Sequence, residues 1–500
     1  MGSIARIISN TFYLTLDWIV LTLSGYVYWV LMSKMLPVGE IGKFSVLFNT
    51  SLFLVGISTM GMNAAVTRLF PEYQMKNDKK AISSAVLWTL KTTTITTIIL
   101  GSVIFLLSSV FGYYGMFGSN DILLAIVVMT AANLVYMTTS YMMGLQRMKE
   151  IFISDSALSL LKLLVTMPLI ILGFGYLGPV YGFIISAAAA LILRIKWIPV
   201  GSGEPDKKRI WFYSTPVLVS SIGIMAVSQG SIVMLGFLST PINAGLFSIL
   251  FYITSPVKMI PQLISQGMFP TSSQKWASDD TKNIKELITR SVKYSAFIVL
   301  PLVIVLSIFS VNIIKLLTTD EYLPVSGLFV YMAVAYLFSG IASIFSNMLY
   351  SAGEVNAFRN LNLFGGFVNI SAGFVLITRF GIAGAVMAFL LSTLAMMFAS
   401  FYLLRRKIRF EIGGADMLKL VAGGLVFFAV SVFVTDIIDQ QYAWIIGSFT
   451  GAITYAFALL FMRFFDSLDI CVVEELEGRS SGRIKKLLGK TRTFLSGFAC

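Results

Sequence analysis

The chain has 500 residues, of which 57% are hydrophobic and only 12% charged, and its formal net charge is +13. A soluble globular chain carries roughly 45–50% apolar and about 25% charged residues, so this composition excludes an ordinary soluble protein. Histidine, the commonest general base and metal ligand, is absent. The two cysteines, Cys471 and Cys500, have neither a disulfide framework nor a metal-binding spacing. We therefore expect no catalytic residue, no metal and no cofactor, and only a coupling ion, Na⁺ or H⁺, stays open.

Continuous apolar stretches of about 20 residues, the length that a helix needs to cross a bilayer, recur along the chain. Strands of a membrane barrel would alternate in polarity, so the sequence predicts an all-α integral membrane protein. The first stretch lacks a small-residue cleavage site and is interpreted as a retained span rather than a signal peptide. We expect fourteen spans, at residues 11–33, 44–66, 84–110, 122–144, 154–173, 178–196, 212–238, 244–268, 290–314, 325–350, 360–378, 381–403, 416–435 and 442–462.

Most of the 37 lysine and arginine residues fall in alternate connections between these spans. Because basic residues collect on the cytoplasmic side, this pattern predicts a multi-pass protein of a prokaryotic cytoplasmic membrane with both termini in the cytoplasm. The other connections carry acidic residues such as Asp121, Asp320, Glu321, Asp436 and Asp439. Topology and contact with an anionic leaflet explain the net charge, so nucleic acid is not an expected partner.

Three short motifs of the first half recur in the same order in the second half. Residues 42–48 recur as 245–251, residues 70–71 as 269–270, and residues 174–180 as 380–386. The repeat indicates duplication, with one six-helix half at residues 1–200 and the other at 201–410. Two further spans occupy residues 411–465, and a basic cytoplasmic tail follows at 466–500, where 480–500 fits either an amphipathic surface helix or disorder. Parallel repeats of this kind predict a cavity between the halves.

Two motifs resemble the first spans of Wzx-type polysaccharide and oligosaccharide flippases, the polysaccharide transporter family of the MOP superfamily. They read LPVGEIGKF at 36–44 and GMNAAVTR at 61–68. Further matches follow in the family's order at 213–216, 234–237, 245–248, 269–270, 301–302, 369 and 377–385. The resemblance covers roughly residues 10–410, and the last two spans fit the fourteen-helix members.

This resemblance implies two pseudo-symmetric, MATE-like six-helix lobes. They would flip a polyprenyl- or dolichyl-(pyro)phosphate-linked oligosaccharide from the cytoplasmic to the outer leaflet by alternating access, for cell-surface polysaccharide or glycoprotein biosynthesis. The implied partners are the lipid-linked oligosaccharide, membrane lipids and glycan assembly enzymes, and the protein is expected to work as a monomer. Many relatives place an acid before the Met-Leu-Gly of span seven, whereas this chain reads SQGSIV at 228–233, which leaves ion coupling there open.

Three lysines, Lys91, Lys162 and Lys258, fall within apolar stretches, where ionisable groups are costly and usually face a wet interior. We hypothesise that at least two of them bind the substrate's phosphate. Lys91 and Lys258 lie near an estimated span end, so snorkelling to the headgroups is the alternative. Arg68 and Arg359 could meet the phosphate at the cytoplasmic entrance or only anchor the topology.

Asp17 and Asp155 are the acids expected to pair with these lysines or to titrate during coupling, although Asp155 could also be a helix cap. Gln229 and Asn369 could bind sugar hydroxyls or make interhelical hydrogen bonds. Tyr26, Tyr28 and Trp29 fit either sugar stacking or an interfacial belt.

Two other functions compete with a flippase. A cation-coupled multidrug exporter of the same superfamily would need acids inside the lobes, and by our boundaries Asp17 is the only one well inside a span. A membrane glycosyltransferase or polymerase would need a large loop that carries acids. The longest connection, 270–291, holds only Asp279-Asp280 as a candidate motif.

Overall fold

The structure is a computed structural model that describes residues 3–110, 118–199, 201, 203–411, 413–438 and 442–466. The predicted tail from residue 467 onward, with its candidate helix 480–500 and both cysteines, lies outside the described residues, as does Asp439.

The described residues form α-helices and one 3₁₀ helix, Asp320–Leu328. The α-helices are α1 (Ser3–Met35), α2 (Val38–Ser58), α3 (Met62–Met75), α4 (Lys79–Val110), α5 (Ser119–Gly144), α6 (Met148–Ile171), α7 (Leu177–Ile195), α8 (Lys207–Ser228), α9 (Gly230–Leu238), α10 (Pro241–Thr254), α11 (Pro256–Ala277), α12 (Thr281–Ile308), α13 (Ser310–Leu317), α14 (Phe329–Ser351), α15 (Val355–Lys407), α16 (Gly414–Ile437) and α17 (Ala443–Phe461).

Several helices begin at a side chain that accepts a hydrogen bond from a free backbone N–H. Asp206 accepts from the N–H of Arg209 at 3.1 Å, and Thr240 accepts from that of Asn243 at 3.3 Å. Asp280 begins α12 in the same way and also binds the Lys275 ammonium at 2.7 Å. Hydrogen bonds from Lys275 and Asn283 lower the pKa of Asp280 to about 2, so this cap stays charged at neutral pH.

Within the described residues, 12 helices are long and apolar enough to cross a membrane, or 13 if the pair α10–α11, bent by 49°, counts as one span. This confirms an all-α, multi-pass membrane protein. Helix α15 has 53 residues and is interrupted at Gly381, whose φ of 54° and ψ of −125° are not helical. A helix of that length exceeds the roughly 20 residues of a single span.

Four predicted spans are interrupted in the structure, and one of them, 290–314, is divided into α12 and α13 at Phe309. Span 44–66 begins earlier, at Val38 after Pro37, and is broken before α3 at Gly61, whose φ is +71°. Span 212–238 is divided into α8 and α9 at Gln229, and span 244–268 is divided into α10 and α11 before Pro256. Apolar residues flank each break, so hydropathy alone does not reveal the breaks.

The sequence repeat has a backbone counterpart. Gly175 and Gly381 occupy equivalent places in the two motifs, and their φ values are +53° and +54°. A side chain at Gly175 would meet the carboxylate of Glu40, and one at Gly381 would meet the amide of Asn243. Glu40 and Asn243 are themselves equivalent in the repeat, so both halves form the same corner against the same neighbour.

The halves pack against each other through α2 and α10. A Cβ at Gly42 would overlap the carbonyl of Pro241, and one at Gly245 would overlap that of Val38. At the same end of the bundle, the N–H of Val38 donates to the Glu321 carboxylate at 3.1 Å. Glycine at both positions therefore permits direct backbone contact between the two halves at this end, which we call the glycine end.

Candidate functional site

A cavity of about 350 Å³ lies between α1 of the first half and helices α8, α10, α11 and α14 of the second. We call it the central cavity. Its lining residues are Trp18, Leu21, Thr22, Gly25, Tyr26, Trp29, Ser228, Gln229, Phe251, Tyr252, Ser255, Lys258, Met259, Gln262 and Tyr336. The lining is largely aromatic with a few amides and hydroxyls, as is typical of sites that bind a ligand with both polar and apolar parts.

Lys258 lies in the first turn of α11, directly after the break that separates α10 from α11. The helix begins at Pro256 after the N-cap Ser255. The Lys258 N–H donates a hydrogen bond to the Ser255 carbonyl at 3.0 Å. The half-buried Lys258 ammonium and the first turn of the helix both favour an anion at this point. The structure therefore places one of the three predicted lysines on the central cavity.

Gln229 lies at the second break, where it joins α8 to α9. Its side chain lines the central cavity, and among the described residues its buried Oε1 has no hydrogen-bond partner. A buried acceptor without a partner is unfavourable, so a ligand hydroxyl that donates to Oε1 would be stabilised. Gln262, one turn after Lys258 on α11, adds a second amide to the lining.

Asn369 lies behind the same break and is fully buried. Its Nδ2 donates to the Ala226 carbonyl at 2.8 Å, and its Oδ1 accepts from the Ser231 hydroxyl at 3.2 Å. The amide thus links α15 to α8 on one side of Gln229 and to α9 on the other. These contacts position Gln229, and Asn369 is not among the residues that line the cavity.

Aromatic side chains close the cavity between the halves. Trp29 of α1 stacks on Tyr252 of α10, with ring centroids 4.0 Å apart and planes at 13°. The Tyr252 hydroxyl donates to Asn49 Oδ1 at 3.3 Å, which adds a second contact between the halves. Tyr26 lines the cavity, whereas Tyr28, with 2% of its surface exposed, faces the interior of the first half.

Lys162 contacts the other face of α1. Its ammonium lies 4.4 Å from the centroid of the Tyr28 ring, within the range of a cation–π interaction. The Tyr28 hydroxyl is 3.4 Å from Thr166 Oγ1. The structure therefore places Lys162 between α1 and α6, and not in the lining of the central cavity.

Asp17 and Asp155 both interact with a fully buried arginine, Arg194, near the end of α7. Arg194 pairs with Asp155, and its Nη1 donates to the Val135 carbonyl and to Thr138, each at 2.8 Å. Its Nε also donates to Ser154 at 3.0 Å.

Asp17 interacts electrostatically with both Asp155 and Arg194, and its Oδ1 is buried without a hydrogen-bond partner among the described residues. Arg194 falls within the predicted span 178–196, and an ionisable residue inside a span is the signal that could have identified it.

The other predicted site residues lie apart from the central cavity. Lys91 is exposed on α4. Arg68 is exposed on α3, with its guanidinium 6.0 Å from the Tyr213 ring of α8. Arg359 is half-buried near the start of α15, where its Nε donates to Asn360 Oδ1 at 3.1 Å. In the part of the chain that the structure describes, no group of three or more Asp, Glu or Cys side chains could hold a metal ion.

Solved structures with a similar fold belong to transporters. The lipid II flippase MurJ in an inward closed conformation aligns with a TM-score of 0.68 at 16% identity, over 91% of this chain and 98% of that one. An inward-facing multidrug resistance MATE family transporter of the MOP superfamily aligns with a TM-score of 0.61 at 15% identity, over 80% and 98%. The chain therefore shares the fold of these two proteins.

Sequence comparison identifies the family. The chain belongs to the family described as polysaccharide biosynthesis protein, whose profile matches residues 31–327. The profile of the lipid II flippase MurJ matches residues 205–455. A curated relative, the probable low-salt glycan biosynthesis flippase Agl15 of Haloferax volcanii, is 24% identical over 442 residues, which cover 85% of this chain and 89% of that protein.

Proposed function

We propose that the protein is a flippase, not an enzyme, that moves a polyprenyl- or dolichyl-(pyro)phosphate-linked oligosaccharide from the cytoplasmic to the outer leaflet. The observation that carries this proposal is Lys258, a cation in a cavity that, among the described residues, no carboxylate lines. An anionic phosphate binds at the ammonium, while amides and aromatic rings receive the sugar. The glycan flippases among the relatives and fold neighbours support the same substrate class.

The proposed architecture has fourteen spans, which counts α15 as two spans and the bent pair α10–α11 as one. Residues 1–200 and 201–410 form two six-helix lobes, and α16–α17 form the additional pair. The basic connections support a cytoplasmic location for both termini, with the tail from 466 to 500, and we propose the cytoplasmic membrane of a prokaryote. The glycine end then faces outward. The protein works as a monomer and associates with glycan assembly enzymes.

Alternating access supplies the mechanism. Gly42, Gly245 and the Trp29–Tyr252 stack close the glycine end in this structure, and we propose that rocking of the lobes separates them. The substrate phosphate enters past Arg68 and Arg359, binds Lys258 and leaves when the glycine end opens. Gln229, which Asn369 positions, donates to and accepts from sugar hydroxyls. Lys91 assists at the membrane surface.

Coupling is proposed for the buried charges of the first lobe. Asp155 is already paired with Arg194. Asp17, whose buried Oδ1 has no hydrogen-bond partner among the described residues, is therefore the carboxylate proposed to bind Na⁺ or H⁺. Lys162 lies on the same α1–α6 interface, in contact with Tyr28 of α1. We propose that a change in the charge of Asp17 shifts α1 and thereby alters this contact. Binding of a cation at Asp17 would remove an unfavourable buried charge and favour one packing of α1 against α6.

The test is transport by the full-length protein in proteoliposomes. A fluorescent isoprenyl-phosphate disaccharide that starts in the inner leaflet is quenched by dithionite only after it reaches the outer leaflet. Protein-dependent quenching is the expected result, and the same rate in protein-free liposomes would contradict the proposal. The fold is shared with MATE transporters, so uptake of ethidium is measured in parallel; the lysine in the cavity predicts none.

A further inference from the structure

In the part of the chain that the structure describes, one charged side chain lines the central cavity. That side chain is Lys258, while its polar neighbours Gln229, Gln262, Thr22 and Ser255 are neutral. Asp17, though adjacent to the lining residue Trp18 in sequence, faces Asp155 and Arg194 on the other side of α1. The ionised lining therefore has a charge of one positive unit.

A glycan can be linked to its lipid through a phosphate or through a pyrophosphate, and the two linkages differ in charge. A sugar attached through a single phosphate is a phosphodiester with one negative charge, and a sugar attached through pyrophosphate has two. Enclosed between aromatic rings, a charge without a partner is strongly unfavourable, whereas one ammonium matches one phosphate. The buried Oε1 of Gln229, which has no hydrogen-bond partner among the described residues, is an acceptor and favours a hydroxyl over a second phosphate oxygen.

We infer that the protein selects glycans linked to their lipid through a single phosphate and discriminates against those linked through pyrophosphate. This inference rests on the proposed flippase function and narrows its substrate class. Lys258 and Gln262 lie one turn apart on α11, so the same face of the helix holds the single cation and the neutral amide beside it. A second cation at Gln262 would therefore complement a second phosphate.

The experiment compares two synthetic probes with the same isoprenyl chain, disaccharide and fluorophore, one with a phosphate linkage and the other with a pyrophosphate linkage. Dithionite quenching gives the flipping rate of each probe in proteoliposomes. Three full-length proteins are used: wild type, Gln262→Lys and Gln266→Lys. Gln266 is exposed and lies one further turn along α11, outside the cavity lining, so the third protein controls for an added charge.

For the wild type we expect the phosphate probe to move at least about tenfold faster than the pyrophosphate probe. Gln262→Lys should reduce this ratio by about tenfold, and Gln266→Lys should leave it at the wild-type value. Equal rates for both probes in the wild type, or a ratio that Gln262→Lys does not change, would overturn the inference and leave the flippase function intact. Failure of folded wild-type protein to move either probe would instead overturn the flippase function.

Discussion

Gly42 of α2 lies directly against Gly245 of α10. The two glycines are equivalent positions of the repeat, one in each half. A Cβ at Gly42 would lie 2.9 Å from the Gly245 nitrogen, and one at Gly245 would lie 3.0 Å from the Gly42 nitrogen. A contact between equivalent residues is expected where a pseudo-twofold axis passes between two repeats. This is the contact that has to separate if the glycine end opens.

Gly42→Ala should favour opening at the glycine end, because the added methyl group overlaps the Pro241 carbonyl. Overpacking costs about 1–3 kcal/mol, which corresponds to a change of about 5–150-fold in the ratio of open to closed protein. The measurement is labelling of a cysteine placed at Thr22 by an impermeant maleimide applied from that side, in protein without Cys471 and Cys500. Gly39→Ala is the control, since its nearest neighbour is 3.9 Å away. Equal labelling of both variants would contradict this prediction.

Lys258→Gln should lower the flipping rate by about 10–100-fold, because a charge-assisted hydrogen bond contributes about 1.5–3 kcal/mol. Lys258→Arg keeps the charge and should retain part of the activity. Lys285→Gln, the same substitution at an exposed lysine of α12, should transport as the wild type does. The rates come from dithionite quenching with equal amounts of folded protein. A fully active Lys258→Gln would remove Lys258 from the binding site.

Arg194→Gln should destabilise the protein by about 3–5 kcal/mol, since it leaves the carboxylate of Asp155 buried without its partner. Addition of Asp155→Asn should recover much of that loss, because the stranded charge is removed as well. Thermal unfolding in detergent measures both effects. Arg209→Gln breaks the more exposed pair with Glu72 and should change the unfolding temperature far less. No recovery in the double variant would mean that Arg194 contributes mainly through Ser154, Thr138 and Val135.

Asp17→Asn should make flipping independent of an imposed Na⁺ or H⁺ gradient, because the buried carboxylate proposed to accept the cation is gone. Rates are compared with and without each gradient in the same proteoliposomes. Asp436→Asn, at an exposed position of α16, serves as the matched control and should keep the wild-type gradient response. If Asp17→Asn responds as the wild type does, coupling belongs to another group.

The sequence predicts the all-α membrane fold, the repeat and the family, because each follows from patterns spread over many residues. Local interruptions within apolar segments are harder to predict. The breaks at Gly61, Gln229 and Ser255 separate stretches that are apolar on both sides, so a hydropathy window reads across them. Their positions depend on tertiary contacts such as those of Asn369, which is invisible without the fold.

For the candidate site, too, the sequence identifies some residues, while their position relative to the cavity requires the structure. The sequence identifies Lys258 and Gln229 because polar groups are costly inside apolar stretches. The structure places both on the central cavity. Lys162 met the same criterion but lies on the opposite face of α1, a distinction that requires knowledge of helix rotation. Arg194 was missed because a basic residue near a span end resembles a topology anchor, although none of its surface is exposed.

The corners at Gly175 and Gly381 have the same backbone conformation in the two halves. The buried charges of the first half, however, have no counterpart at the equivalent positions of the second half. The positions that correspond to Asp155 and Arg194 in the second half are Leu361 and Ser400. Asp155 and Arg194 form a neutral pair, and separating them would leave each charge unpaired in the interior of the first half, so α6 and α7 must move together. The second half has Leu361 and Ser400 at these places, so its equivalent helices are not linked by such a pair.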